Sequence, residues 1–252
     1  MFAQAFLNIG PSVQATYSDT SSTIINLSVS LTSFITGVFM VAAGNIAYKI
    51  GYTKITYIGV ILSIIGSVII LLPFHSSFLI VGRIVQGFSA AMIMPATISI
   101  FNNIFEGEQR RKALSYWSLG AFGGTGLASL FAGTVATFIA WQWIFVVSIG
   151  LSLIALFLLK DIKDVQHDSK NALNFDFASL TIFVITIGAL SIFITQGESL
   201  GWLSPVSITL TAIFVMGLMV FIFVEQKMKV PFIELSLFSH KAFLGTVVTN
   251  FL

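Results

Sequence analysis

In the run Leu79-Ile-Val-Gly-Arg-Ile-Val-Gln-Gly-Phe-Ser-Ala-Ala-Met-Ile-Met-Pro95 one residue is foreign to its neighbours. Arg83 lies inside an apolar segment, Phe78 to Phe105, that exceeds the ~20 residues needed to cross a bilayer. A guanidinium at membrane depth costs from ~2.5 to more than ~10 kcal/mol, depending on how the cost is measured. It must therefore face protein or water. At helical spacing from Arg83 come Gln86, Gly87, Ala90, Ala91 and Met94, a face of polar and small residues, while Ile, Val, Phe and Met fill the remaining circumference. Two readings of Arg83 follow: a packing arginine that bonds backbone carbonyls, or a charge lining a solute or proton path, the default meaning of an ionisable residue within a membrane. Gln86 has the same two readings, orienting a substrate or satisfying a neighbouring helix.

The whole composition fits that segment. Of 252 residues, 56% are hydrophobic and 9% charged, against about 25% charged in soluble domains, and mean hydropathy is +0.98. The sequence predicts an all-α polytopic membrane protein. It contains no cysteine, so disulfides and thiolate metal sites are excluded. The histidines, His75, His167 and His240, fall in separate connections and cannot form one metal site. No metal, cofactor or nucleic-acid partner is expected. Nor is an enzyme, because membrane hydrolases need clustered His, Asp, Glu or Ser–Lys groups at depth. The opening Met1-Phe-Ala-Gln-Ala-Phe-Leu lacks the basic start of a signal peptide and reads as the middle of a helix.

Seven full spans are expected: 24–47, 55–74, 78–105, 113–138, 143–159, 177–196 and 206–224, preceded by half a helix and followed by the start of another. The first carries a second stripe, Asn26, Ser30, Ser33 and Gly37, read as inward-facing. It lines a cavity or acts as packing glue. Pro95 predicts a kink. Gly120 and Gly124 form a small-xxx-small spacing that allows close backbone approach, and Trp141 and Trp143 mark an interface. The organisation is a bundle over 1–160, a polar connection over 161–175, two more helices over 176–225, and a final segment over 226–252. Apart from Arg83, the 12 basic residues leave 11, and all 11 fall in alternate connections. The positive-inside rule makes those connections cytoplasmic, with Arg110-Arg-Lys112 set against anionic lipid.

These pieces resemble, in order, the N-terminal portion of a major facilitator superfamily transporter of the fourteen-helix drug:proton antiporter branch. Asn8-Ile-Gly-Pro11 is similar to the end of the family's first helix. Gly44-Asn-Ile-Ala-Tyr-Lys-Ile-Gly-Tyr-Thr-Lys54 stands where the G-x-L-A-D-R-x-G-R-K loop belongs, and Arg83-Ile-Val-Gln-Gly87 where the fourth helix carries R-x-x-Q-G. Trp141-Gln-Trp-Ile-Phe145, Phe175-Asp-Phe177 and Pro231-Phe-Ile-Glu-Leu-Ser-Leu-Phe238 resemble the starts of the sixth, seventh and ninth helices. The sequence departs from the pattern at Tyr48 and Tyr52, in place of the loop's aspartate and second arginine, and at Ala128-Ser129, in place of a Gly-Pro pair.

The resemblance implies an N-terminal helical bundle of a major facilitator fold plus two additional helices, in the cell membrane. It implies proton-coupled multidrug efflux by alternating access. Arg83, Gln86 and Gly87 would lie on the proton or substrate path, and Gly44, Lys49, Gly51 and Lys54 in a cytoplasmic gating loop. The implied partners are the lipid bilayer, small lipophilic or cationic substrates, protons, and a C-terminal bundle of the same transporter. Two rivals stay open: a facilitator for nutrient uptake, and a non-transporting truncated fragment.

Overall fold

A computed structural model describes residues 9–17, 21–72, 75–162, 164, 177–228, 240, 243–245 and 249. Most of the expected 161–175 connection, most of the 226–252 segment, Phe175-Asp176 and the Pro231–Phe238 segment lie outside the described residues. Among the described residues there is no strand. In hydrocarbon a helix satisfies its backbone groups within itself, which a lone strand does not.

The chain divides into two compact units between Asn171 and Ala172. The first contains α1 (Gly10–Thr16), α2 (Ser22–Ile50), α3 (Tyr52–Leu71), α4 (Ser77–Ile104), α5 (Gly107–Ser118), a π-helical turn (Leu119–Gly123), α6 (Gly124–Phe138) and α7 (Trp143–Leu159). The second contains α8 (Phe177–Leu200) and α9 (Pro205–Lys227). Among the described residues, six helical segments are long and apolar enough to cross a membrane, counting 107–138 as one. The shorter α7 has 17 residues, at the lower limit of the ~17–25 that span. The protein is a multi-pass membrane protein.

The helix ends follow local chemistry. Ser21 caps α2 by accepting from Ile24 N at 3.3 Å, and Ser204 caps α9 by accepting from Ser207 N at 3.2 Å, with Pro205 in the first turn. The expected turn over 48–54 is shorter than its composition suggests. α2 continues to Ile50, α3 begins at Tyr52, and Gly51 alone reverses the chain at φ +119°, a backbone conformation open to glycine because it lacks a Cβ. The charge cluster at 106–112 is also helical: Glu108 and Lys112, one turn apart, meet at 2.9 Å in the opening turns of α5.

α4 is the centre of the first unit. α2 packs on one side of it and α3 on another, and α7 packs on α3. Glycines set the crossings. A Cβ on Gly66 would stand 2.9 Å from Gly82 O, and one on Gly87 would stand 3.0 Å from Thr32 O. Here backbone lies on backbone, the arrangement small residues permit in lipid. By contrast, nothing lies within 4 Å of a Cβ at Gly120, Gly123, Gly126 or Gly133. Within the described residues, then, the expected close approach at Gly120 is absent. A spacing shows that a helix can be approached, not that a neighbour is there. Trp141 also departs from expectation. It is buried, and its indole Nε1 donates to Thr16 Oγ1 at 2.9 Å, because a fixed acceptor and the rings of Tyr17 and Phe145 enclose it. Trp143, two residues on, is exposed as an interfacial residue would be.

In the second unit α8 and α9 form a hairpin. The Phe183 and Phe221 rings pack at a tilt with centroids 5.4 Å apart, and Gly217 lets Thr186 against the α9 backbone. The Trp202 ring meets Phe193 edge-on at 5.4 Å.

Candidate functional site

The candidate site is the buried polar line where α2, α3 and α4 meet. Arg83 is fully buried, as its cost in lipid requires. Its Nη1 donates to Gln86 Oε1 at 3.1 Å, three residues along the same face of α4. Gln86 Nε2 then donates to Ser67 Oγ on α3, also at 3.1 Å. Each bond fixes the next, because the arginine takes the amide oxygen and leaves the amide nitrogen for the serine. The guanidinium carbon lies 5.4 Å from the centre of the buried Phe145 ring on α7, within the range where a ring face attracts a cation. Three helices thus hold one charge.

α2 contributes a second layer through backbone carbonyls. Thr32 Oγ1 donates to Arg83 O at 3.1 Å, and Thr36 Oγ1 donates to Gly87 O at 3.2 Å. Both hydroxyls also donate to α2 carbonyls four residues back, so each spans two helices. Gly87 permits this: a Cβ there would stand 2.9 Å from Ile35 Cβ. Arg83, Gln86 and Gly87 therefore form one cluster.

The stripe Asn26, Ser30, Ser33 and Gly37 does not join it. Asn26, Ser33 and Gly37 are exposed and Ser30 is half-buried. The face of α2 that packs on α4 carries Ser28, Thr32 and Thr36, and the stripe lies on a different face of the helix that this contact leaves uncovered. The two faces have similar polarity, so a period of three or four picks out both. The packed face shows in its β-branched Ile25, Val29, Thr32, Ile35 and Thr36, while the other carries Gly37. Ser67 gave no separate sequence signal, being a small polar residue in an apolar span, and Phe145 entered only as the last residue of the Trp141–Phe145 motif, which does not mark it as a neighbour of Arg83.

Gly44, Lys49, Gly51 and Lys54 lie toward the other end of α2 and α3. Gly51 and Ser67 are about 16 residues apart, or ~24 Å along a helix. Gly44 approaches Pro95: a Cβ on it would lie 3.7 Å from the proline Cβ. Gly51 is buried, Lys49 half-buried and Lys54 exposed. The described acidic residues Glu106, Glu108, Asp161, Asp164, Glu198 and Glu225 all sit at helix ends or in connections. Among the described residues no group of His, Asp and Glu could hold a metal ion.

The arrangement places a buried, hydrogen-bonded guanidinium within a helical membrane bundle. Residues 1–251 match the model of the Major Facilitator Superfamily. The chain is 42% identical over 252 residues to the quinolone resistance protein NorB of Staphylococcus aureus strain MRSA252, and 43% identical to that of strain Newman. All of the chain and 54% of each relative are covered, so the chain spans about half the length of these curated relatives. Among solved structures, a crystal structure of a peptide transporter in complex with sulfate superposes with a TM-score of 0.59 at 15% identity. It covers 90% of this chain and 51% of that one, a likeness of fold alone. From a match that runs almost end to end, the chain belongs to the major facilitator superfamily.

Proposed function

We propose that this chain forms the first helical bundle, with two further helices, of a secondary transporter that exports small lipophilic or cationic compounds in exchange for protons. One observation carries the reading: a fully buried guanidinium held by side chains of three helices. Nothing about helix packing alone requires a charge there, and an apolar residue would be cheaper in that position. The relatives named for quinolone resistance, at 42–43% identity, support drug efflux as the direction and substrate class. A second bundle, in keeping with relatives nearly twice as long, completes the cavity, and the two bundles rock about it. The cell membrane holds the protein with its basic connections in the cytoplasm.

The test uses the whole transporter in inverted vesicles. Efflux of a fluorescent quinolone runs with the proton gradient and stops when the gradient is dissipated. Arg83→Ala abolishes it while the protein is still produced and inserted. Efflux at the unsubstituted rate in that variant refutes the coupling role. Counterflow of labelled sugars or peptides, with no response to the gradient, would favour a facilitator instead.

A further inference from the structure

We propose that Asp164 is a clasp that holds the α2–α3 turn in its present conformation and releases it during transport, an inference that rests on the transporter reading. The segment after α7 returns to the beginning of α3, where Asp164 Oδ1 accepts a hydrogen bond from Thr53 N at 3.1 Å, across 111 residues of sequence. The first turn of a helix has backbone N–H groups without helical partners. α3 obtains no side-chain cap from the residue before it, because that residue is Gly51. A carboxylate from another part of the chain takes the capping role that Ser, Thr, Asp or Asn usually plays from within.

Two further observations make this a fitted seat. Gly51 has φ +119°, and the three atoms nearest a Cβ built on it all belong to the Asp164 carboxyl group, within overlap distance. The turn therefore needs glycine twice, for its backbone angle and for the space the carboxylate fills. Two residues earlier, Ile162 packs against the cluster of Ala47, Tyr52, Ile55, Ala96 and Ile100, so the returning segment is held by an apolar and a polar side chain together. The seat is also poised to open. Asp164 Oδ2 is buried with no hydrogen-bond partner among the described residues, and it regains water when the clasp lifts, which offsets loss of the Thr53 bond. A turn pinned this way joins the ends of α2 and α3, whose other ends reach the Arg83 cluster through Thr32 and Ser67. Lifting it frees both helices at the end remote from the charge.

The experiment uses the absence of native cysteine. Thr53→Cys places a thiol where the residue is 9% exposed, and its rate of reaction with a maleimide is measured on the full chain in detergent. Asp164→Asn keeps an oxygen acceptor and leaves the rate unchanged. Asp164→Ala raises it about fivefold, the ratio equivalent to one capping interaction of ~1 kcal/mol. Asp164→Leu fills the same space without an acceptor and also labels about fivefold faster; if it protects like the aspartate, the side chain is only a cover and the clasp is wrong. Gly51→Ala labels like Asp164→Ala, and the double variant labels no faster than either, since both empty one seat; additive rates overturn the shared seat. In the whole transporter, Asp164→Ala alters efflux while Asp164→Asn does not. Faster labelling with unaltered efflux overturns the gating role and leaves the transporter reading, which Arg83→Ala tests separately, intact.

Discussion

Adding a single methyl group at Gly66 tests whether backbone contact between α3 and α4 builds the site. A Cβ there would stand 2.8 Å from Gln86 Cγ, 2.9 Å from Gly82 O and 3.2 Å from Gln86 N, whereas carbon contacts sit at ~3.5–4.0 Å. Two of these three atoms belong to the α4 backbone and cannot rotate aside. The helices must separate, and overpacking of this kind costs about 1–3 kcal/mol. Moving Gln86 also strains its bond to the guanidinium, and a hydrogen bond to a charged group is worth about 1.5–3 kcal/mol. Alanine returns about 1 kcal/mol through its higher helix propensity. The expected net loss for Gly66→Ala is thus about 1.5–5 kcal/mol. The control is Gly126→Ala, where nothing lies within 4 Å and only propensity acts, giving no loss or a gain of up to ~1 kcal/mol. Both variants are unfolded with denaturant in detergent and followed by tryptophan fluorescence. A Gly66→Ala chain as stable as Gly126→Ala would show that α3 and α4 do not meet backbone to backbone, and the Gln86 geometry would fall with it.

Ser67→Ala destabilises by about 1 kcal/mol alone and by much less in a Gln86→Leu background. Additivity in that double-mutant cycle would deny the Arg83–Gln86–Ser67 line. Trp141→Phe lowers stability by about 1–3 kcal/mol, because it removes the indole that reaches Thr16 Oγ1 inside a buried cluster; an unchanged unfolding midpoint argues against that bond. Ser204→Ala costs about 1 kcal/mol of α9 stability through loss of its cap, read by hydrogen exchange at Ser207. Single cysteines at Glu108 and Glu198 react with an impermeant maleimide from opposite faces of the membrane. Labelling of both from one face would overturn the alternation of spans.

Hydrophobicity over ~20 residues and the segregation of basic residues are properties of segments, so the chain alone determined that it crosses a membrane repeatedly as helices. The same physics marked Arg83 before any neighbour was known, because the cost of a guanidinium in lipid depends on depth rather than on partner. The spacing of Gln86 and Gly87 placed them on its face, since helical periodicity is local. Partners are not local. Ser28, Thr32 and Thr36 rather than Asn26, Ser33 and Gly37 face α4 because α2 rotated to bring β-branched side chains against Gly87, and both stripes have the same period. Phe145 and Ser67 became part of the site only when α7 and α3 were laid beside α4. The Asp164 carboxylate meets Thr53 across 111 residues, a pairing that no window of sequence contains. Burial depth is written in the order of the residues, whereas which groups share that depth is decided by helix rotation and crossing, set by close packing among all the helices at once.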